Sequence, residues 1–144
     1  MIIARPAMKL THAGASLVLN AAVAAAETMG VPQCVAVVDE GTNLLAFIRM
    51  DGARILSIES ATRKAMTAAT TGQPTGGLAP DKALLLAEAT SGRMTNLPGG
   101  LPLMIDGRIV GGIGVGSGTG EQDLEIARAA VAAFELHLVE GELG

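Results

Sequence analysis

The sequence predicts a fold of the α/β class, α+β in type: an antiparallel sheet of about four to five strands with helices packed against it. Three observations lead there. Two apolar stretches are each followed, across a short polar turn, by a second stretch of similar length, as in hairpins. Segments with helix cap signals precede, separate and follow those hairpins. The resulting order, α, two strands, two helices, two or more strands, α, suits antiparallel pairing with helices laid on the sheet. The chain of 144 residues is expected to form one domain over 1–144, long enough to bury its own core.

The elements follow in order. Thr11 has an N-cap side chain, and Gly30 followed by Pro32 is a stop signal. A first helix is therefore expected between them, with Leu17, Ala21, Ala24 and Ala25 on one side. Residues 34–38, Cys-Val-Ala-Val-Val, form a short continuous apolar run and read as a buried strand. Turn chemistry from Asp39 to Asn43 leads into a returning strand over 44–50. A second helix is expected over about 53–70, where Glu59 and Arg63 stand four apart in the favourable orientation. Pro80 suits the first turn of a short helix over 81–90. Residues 101–105 then pair with 108–115 through Asp106-Gly107, a strong short-hairpin signal. Thr119 and Gln122 make a capping box for a last helix reaching about Glu140, with Leu124, Val131, Phe134 and Leu138 near one face.

Composition narrows the function classes. With 49% apolar residues, disorder is excluded. The chain has no Trp or Tyr, and its aromatics are Phe47 and Phe134. A core of Ala, Val, Ile, Leu and Met buries little area per residue at ~25 cal/mol per Å². Burial of further surface between subunits is the expected compensation, so a homo-oligomer, dimer to octamer, is predicted. The net charge of −4 and ten scattered basic residues speak against a nucleic-acid surface. The lone cysteine, Cys34, allows no internal disulfide and reads as a small buried hydrophobe. Residues 1–10 lack a signal-peptide core, and the alanine-rich stretch 13–26 is broken by Ser16 and Asn20. No membrane association and a cytoplasmic location are the expectations.

The glycine-studded strand carries the sharpest physical signal. Alternation puts Ile109, Gly111, Ile113 and Val115 on one face and Val110, Gly112, Gly114 and Gly116 on the other. A bare strip costs strand stability, so something is expected to approach it closely. That is either another backbone, from a helix of this chain or a neighbour's strand, or a flat ligand. The loop that follows, Gly116-Ser117-Gly118-Thr119-Gly120-Glu121, enters a helix N-terminus suited to an anion. Candidate ligand contacts are accordingly Arg49, Gly112, Gly114, Gly116, Ser117, Thr119 and Glu121. The loop lacks the Gly-Lys-Ser/Thr ending of a phosphate loop. Ser117 lacks the flanking glycines of a nucleophile elbow. Glu121 and Asp123 suit the positive end of the helix dipole, or in the case of Asp123 acid–base work.

The two histidines, His12 and His137, stand at opposite ends of the chain. His137 suits a helix C-terminus. His12, disfavoured as a cation at a helix start, should stay neutral and is the candidate metal ligand. Two isolated histidines make no zinc site. Arg49, Asp51, Arg54, Arg63 and Lys64 gather around the second strand and helix, where they could grip a carboxylate. Lys64 stands out because alanines surround it, and with Asp123 it is the candidate catalytic residue.

Several spaced motifs resemble a known family. They are Val35-Ala36-Val37-Val38-Asp39 with Gly41; Leu44 to Ala53; Ser57-Ile58 with Lys64-Ala65 and Thr67-Ala68-Ala69; Pro98 to Leu103; and Gly111 to Val115 leading to Glu121-Gln122-Asp123. In order, they resemble the haem-degrading and haem-binding domain family of the GlcG and HbpS type, over about residues 8–134. The resemblance implies a compact α/β fold with an antiparallel sheet and assembly into dimers or larger rings. For some members it implies haem binding or a corrinoid-related role. His12 is then the best available axial donor and Met50 a weaker one. The family's usual Gly-Val-Ser-Gly reads here as Gly114-Val115-Gly116-Ser117, with the last two exchanged. Three functions are carried forward. One is binding of haem or a related planar or anionic ligand. Another is a small catabolic enzyme acting on a carboxylated metabolite through Lys64, Arg49 and Asp123. The third is an oligomeric accessory protein without catalysis.

Overall fold

The computed structural model describes residues 1–141. The elements are α1 (His12–Met29), β1 (Cys34–Asp39), β2 (Leu44–Arg49), α2 (Ser57–Thr71), α3 (Pro80–Ala89), β3 (Gly100–Ile105), β4 (Arg108–Gly116) and α4 (Gly120–Glu140). All four strands join one sheet in the order β2-β1-β4-β3, and every pairing is antiparallel. The α+β expectation therefore holds, with four strands. Both caps read from sequence form. The Thr11 hydroxyl accepts from the Gly14 amide, and Thr119 and Gln122 complete their reciprocal capping box. Asp106 and Gly107 both take positive φ, as the tight β3–β4 turn requires.

The helices differ from expectation in detail. α2 starts at Ser57 rather than near 53, because Ala53 first closes a turn by donating to the Met50 carbonyl. Glu59 and Arg63 form no ion pair; among the described residues the two ion pairs are Lys9–Glu40 and Lys64–Asp123. The buried stripe of α1 is Ala15, Val18, Ala22 and Ala26, with Leu17 and Ala21 flanking it and Ala24 turned to solvent. On α4 the stripe centres on Ile126, Ala127, Ala130 and Phe134. Alanine is too weakly hydrophobic to mark which side of a helix faces inward.

The sheet has two unlike faces. Val35, Val37, Leu103, Ile113 and Val115 pack against α1 and α4. Cys34, Ala36 and Val38 lie on the opposite face beneath Ala61, Ala65 and Ala69 of α2. The glycine strip belongs to this second face. A Cβ on Gly114 would strike the Ala61 carbonyl oxygen and sit 2.5 Å from the Ala65 amide nitrogen. One on Gly112 would come within 2.9 Å of the Ala69 amide nitrogen. The backbone that approaches the strip is thus helix α2 of the same chain. Neither a flat ligand nor a neighbouring subunit has room at Gly112 or Gly114, which corrects the ligand-contact expectation for both.

Strict alternation also fails at one point. Leu103 pairs with Gly111 but Met104 pairs with Ile109, leaving Val110 as the extra residue of a bulge. Val110 consequently joins Ile113 and Val115 in the larger core, while Ile109 reaches toward Gly72 at the end of α2. The face assignment read from sequence is correct from Gly111 onward and inverted before it. No described helix is long and apolar enough to cross a membrane.

Candidate functional site

Lys64 lies on α2 among alanines, and small neighbours leave its stem a path inward. Its side chain is only 4% exposed. The ammonium donates to the Asp123 Oδ2 at 2.9 Å and to the Val115 carbonyl at 2.8 Å. Asp123, in the first turn of α4, accepts at Oδ1 from the Gly118 amide at 2.9 Å. The same amide also reaches the Gln33 Oε1 at 3.2 Å. Gly99 makes the approach possible, since a Cβ there would fall 2.7 Å from the Val115 oxygen and 3.1 Å from the Lys64 Nζ. The pair ties a helix from one face of the sheet to a helix from the other. Both carboxylate oxygens and the ammonium are bonded internally, so Lys64 and Asp123 form a buried tie at the edge of the site.

Around this pair opens a cavity of about 300 Å³ lined by Arg54, Ser57, Ser60, Ser117 and Gly118 as well as Lys64 and Asp123. Ser117 takes φ of +106°, an unusual conformation for a residue with a Cβ. The Ser117 hydroxyl accepts from the Arg54 amide at 2.9 Å, which holds the start of α2 to the end of β4. The structure therefore gathers Lys64, Asp123 and Ser117 into one place. Gly116 lies beside this group, opposite the Ser60 hydroxyl. Thr119 is used by its cap, and Glu121 is exposed in the first turn of α4. Arg49 is exposed at the end of β2 and does not line the cavity. It faces β1 at Cys34, whose thiol is pushed up by burial and drawn slightly down by the Arg49 charge. Sequence reasoning missed Ser60 and Gln33. The spacing 57, 60, 64 was the available signal, because residues three and seven apart share a helix face.

A second concavity runs between the start of α1 and the end of α4. It is about 560 Å³, walled by Leu10, Leu17, Ile105, Phe134 and Leu138, with Lys9 and His137 also lining it. His12, the candidate haem ligand, is exposed at the first position of α1 and is not among the lining residues, although its neighbours Thr11 and Ala13 are. The sulfur of Met50 is turned toward the Gln33 amide, from which it accepts at 3.4 Å. A third cavity, about 620 Å³, lies under the loops beside α2 and is lined by Thr67, Thr71, Thr75, Asn96 and Leu124, with no imidazole, thiol or amine. Among the described residues no group of three or more His, Cys, Asp or Glu side chains could hold a bare metal ion.

This architecture, one four-stranded antiparallel sheet between unequal helix layers with its concavities at helix ends, defines a recognisable class of α+β domain. Residues 10–132 match the family described as haem degrading protein HbpS-like, and the chain belongs to that family. It is 34% identical over 136 residues to the corrinoid adenosyltransferase PduO of Citrobacter freundii, covering 91% of this chain. The chain spans only 41% of that protein's length. Among solved structures, a PduOC:haem complex superposes with a TM-score of 0.81 at 34% identity, covering 88% of this chain and 95% of that one. HbpS itself superposes with a TM-score of 0.80 at 38% identity, covering 97% of this chain and 96% of that one.

Proposed function

We propose that the protein binds haem or a closely related planar ligand in the groove between α1 and α4, and that it acts as a homo-oligomer. The carrying observation is the lining of that groove. It combines apolar walls from Leu10, Leu17, Ile105, Phe134 and Leu138 with an imidazole at His137 and the ammonium of Lys9, which a propionate would share with Glu40. A porphyrin needs those three things: apolar contact for the ring, a nitrogen donor for the iron and a cation for a propionate. The groove's volume also lies within the ~300–1,000 Å³ usual for ligand sites. The haem complex of a relative with 34% identity supports the same reading. When bound, haem supplies an iron centre; this chain's own residues shield one side of it and hold its charge. His137 is the preferred donor and His12, one residue from the lining, the alternative.

Haem titration tests this reading directly. A Soret shift with unit stoichiometry, abolished in His137→Ala and kept in His12→Ala, is the expected result. Loss in His12→Ala alone would move the donor to the start of α1. No shift at all would end the proposal.

The oligomer reading rests on α3. That helix buries none of its residues, and Leu84 and Leu85 are 71% and 65% exposed. Ile55 and Leu56, just before α2, are likewise exposed. Large apolar side chains left exposed in this way support contact with another protein surface. The Leu84→Glu/Leu85→Glu variant should show a reduced assembly mass by light scattering. A monomeric parent protein would refute the assembly.

A further inference from the structure

We propose that the cavity between the starts of α2 and α4 binds a small oxyanion, a carboxylate or phosphate of few atoms, gripped by Arg54, Ser57 and Ser60 above the Lys64–Asp123 pair. This site is separate from the α1–α4 groove and does not depend on haem. The first argument is convergence. Ser57, Ser60 and Lys64 lie on one face of α2 and all line the cavity, with Arg54 just before the helix. The second is an unmet bonding capacity. Ser57 is only 7% exposed yet faces the cavity. The hydrogen bonds around the cavity engage Ser117, Lys64, Asp123 and Gly118 but use neither the Ser57 nor the Ser60 hydroxyl. A nearly buried hydroxyl without a protein partner is expected to meet a ligand or water.

The third argument is charge. Lys64 and Asp123 neutralise one another, so the cavity's net charge comes from the Arg54 guanidinium. The positive end of the α4 dipole, at the cavity-lining Gly120, adds to it. The carboxylate of Asp123 does not repel an anion as an unpaired carboxylate would, because the Lys64 ammonium is paired with it. Behind the cavity-lining Gly118, the fully buried Gln33 has an Nε2 with no partner, 2.6 Å from where a methyl on Gly118 would lie. One planar guanidinium suits bidentate capture of two oxygens. About 300 Å³ admits only a small ligand.

Isothermal titration of the full chain with sodium acetate and with sodium phosphate, at constant ionic strength against chloride, tests the assignment. Saturable binding of one or both is expected. Acetate alone would identify a carboxylate ligand, and phosphate alone a phosphoryl one. Arg54→Ala and Ser57→Ala should each weaken it about tenfold or more, as expected for a lost charged hydrogen bond, while Arg54→Lys restores part. Arg54 is exposed and contributes its backbone amide to Ser117, so Arg54→Ala keeps the fold and decides the matter if Ser57→Ala does not fold. Absence of saturable binding by either anion, or affinity unchanged in Arg54→Ala, overturns the proposal.

Discussion

The two faces of the sheet reach close packing by opposite means. Toward α1 and α4, branched side chains such as Val37, Ile113 and Val115 fill the space. Toward α2, strand β4 offers no side chain to pack at Gly112 and Gly114, which meet the helix backbone at Ala61, Ala65 and Ala69. The branched face gains by apolar area, about 1.5–3 kcal/mol for each large residue buried. The glycine face gains by bringing a helix so near that its backbone touches the strand. The first arrangement tolerates loss of a methyl group, because neighbours relax partway into the gap. The second cannot accept one added methyl without displacing a helix. Small residues on this face thus carry the stricter demand.

The largest expected effect strikes that contrast at adjacent residues. Gly114→Ala should yield no stably folded protein, since its Cβ would collide with the Ala61 carbonyl. Ile113→Val, next door on the branched face, should cost only about 0.5–1.5 kcal/mol in urea unfolding. A Gly114→Ala protein melting within a few degrees of the parent would break the comparison.

An intermediate effect is expected where the faces are tied together. Lys64→Met or Asp123→Leu alone leaves an unpaired buried charge and should cost about 3–5 kcal/mol. The double variant should recover most of that loss, because both charges then leave together. Equal or additive destabilisation in the double variant would show that the pair is not what joins α2 to α4.

The smallest effect lies outside both faces, in the β1–β2 turn. The Asp39 Oδ1 accepts from the Gly41 and Asn43 amides, each at 2.9 Å. Burial works to raise the Asp39 carboxyl, but the bonds from Asn43 and Gly41 outweigh it and hold it below its ordinary value. A group with a depressed folded value stabilises above its unfolded pKa of ~3.9 and loses that contribution as pH falls through the folded value. Thermal melts should therefore show Asp39→Asn less stable than the parent at neutral pH, with the difference shrinking below about pH 4. A constant difference across that range would assign the effect to something other than ionisation.

Much of this molecule was legible before any coordinates. The caps at Thr11 and Thr119 and the Asp106-Gly107 turn form as read, because each depends on groups within a few residues. The site was legible in pieces. Lys64, Asp123 and Ser117 stood out for separate reasons, but Lys64 and Asp123 are 59 positions apart, and nothing local announces their bond. Ser60 was marked only by its helical spacing from Ser57 and Lys64, and Gln33 by nothing that separates it from ordinary polar residues. His137 read as a helix terminus residue until the end of α4 was seen beside the start of α1.

Local chemistry, then, specified the order of elements, the capped ends of α1 and α4, the hairpins and the need for something to cover a bare glycine strip. Which element covers it was a tertiary matter. Alternation names the two faces of a strand but not the layer that lands on each, and one extra residue at Val110 inverts the assignment. The Lys64–Asp123 tie, the cavity around it and the α1–α4 groove exist because helices distant in sequence meet at their ends. Such contacts are chosen by which packing excludes most water with fewest buried orphans, a property of the whole chain and of no single segment.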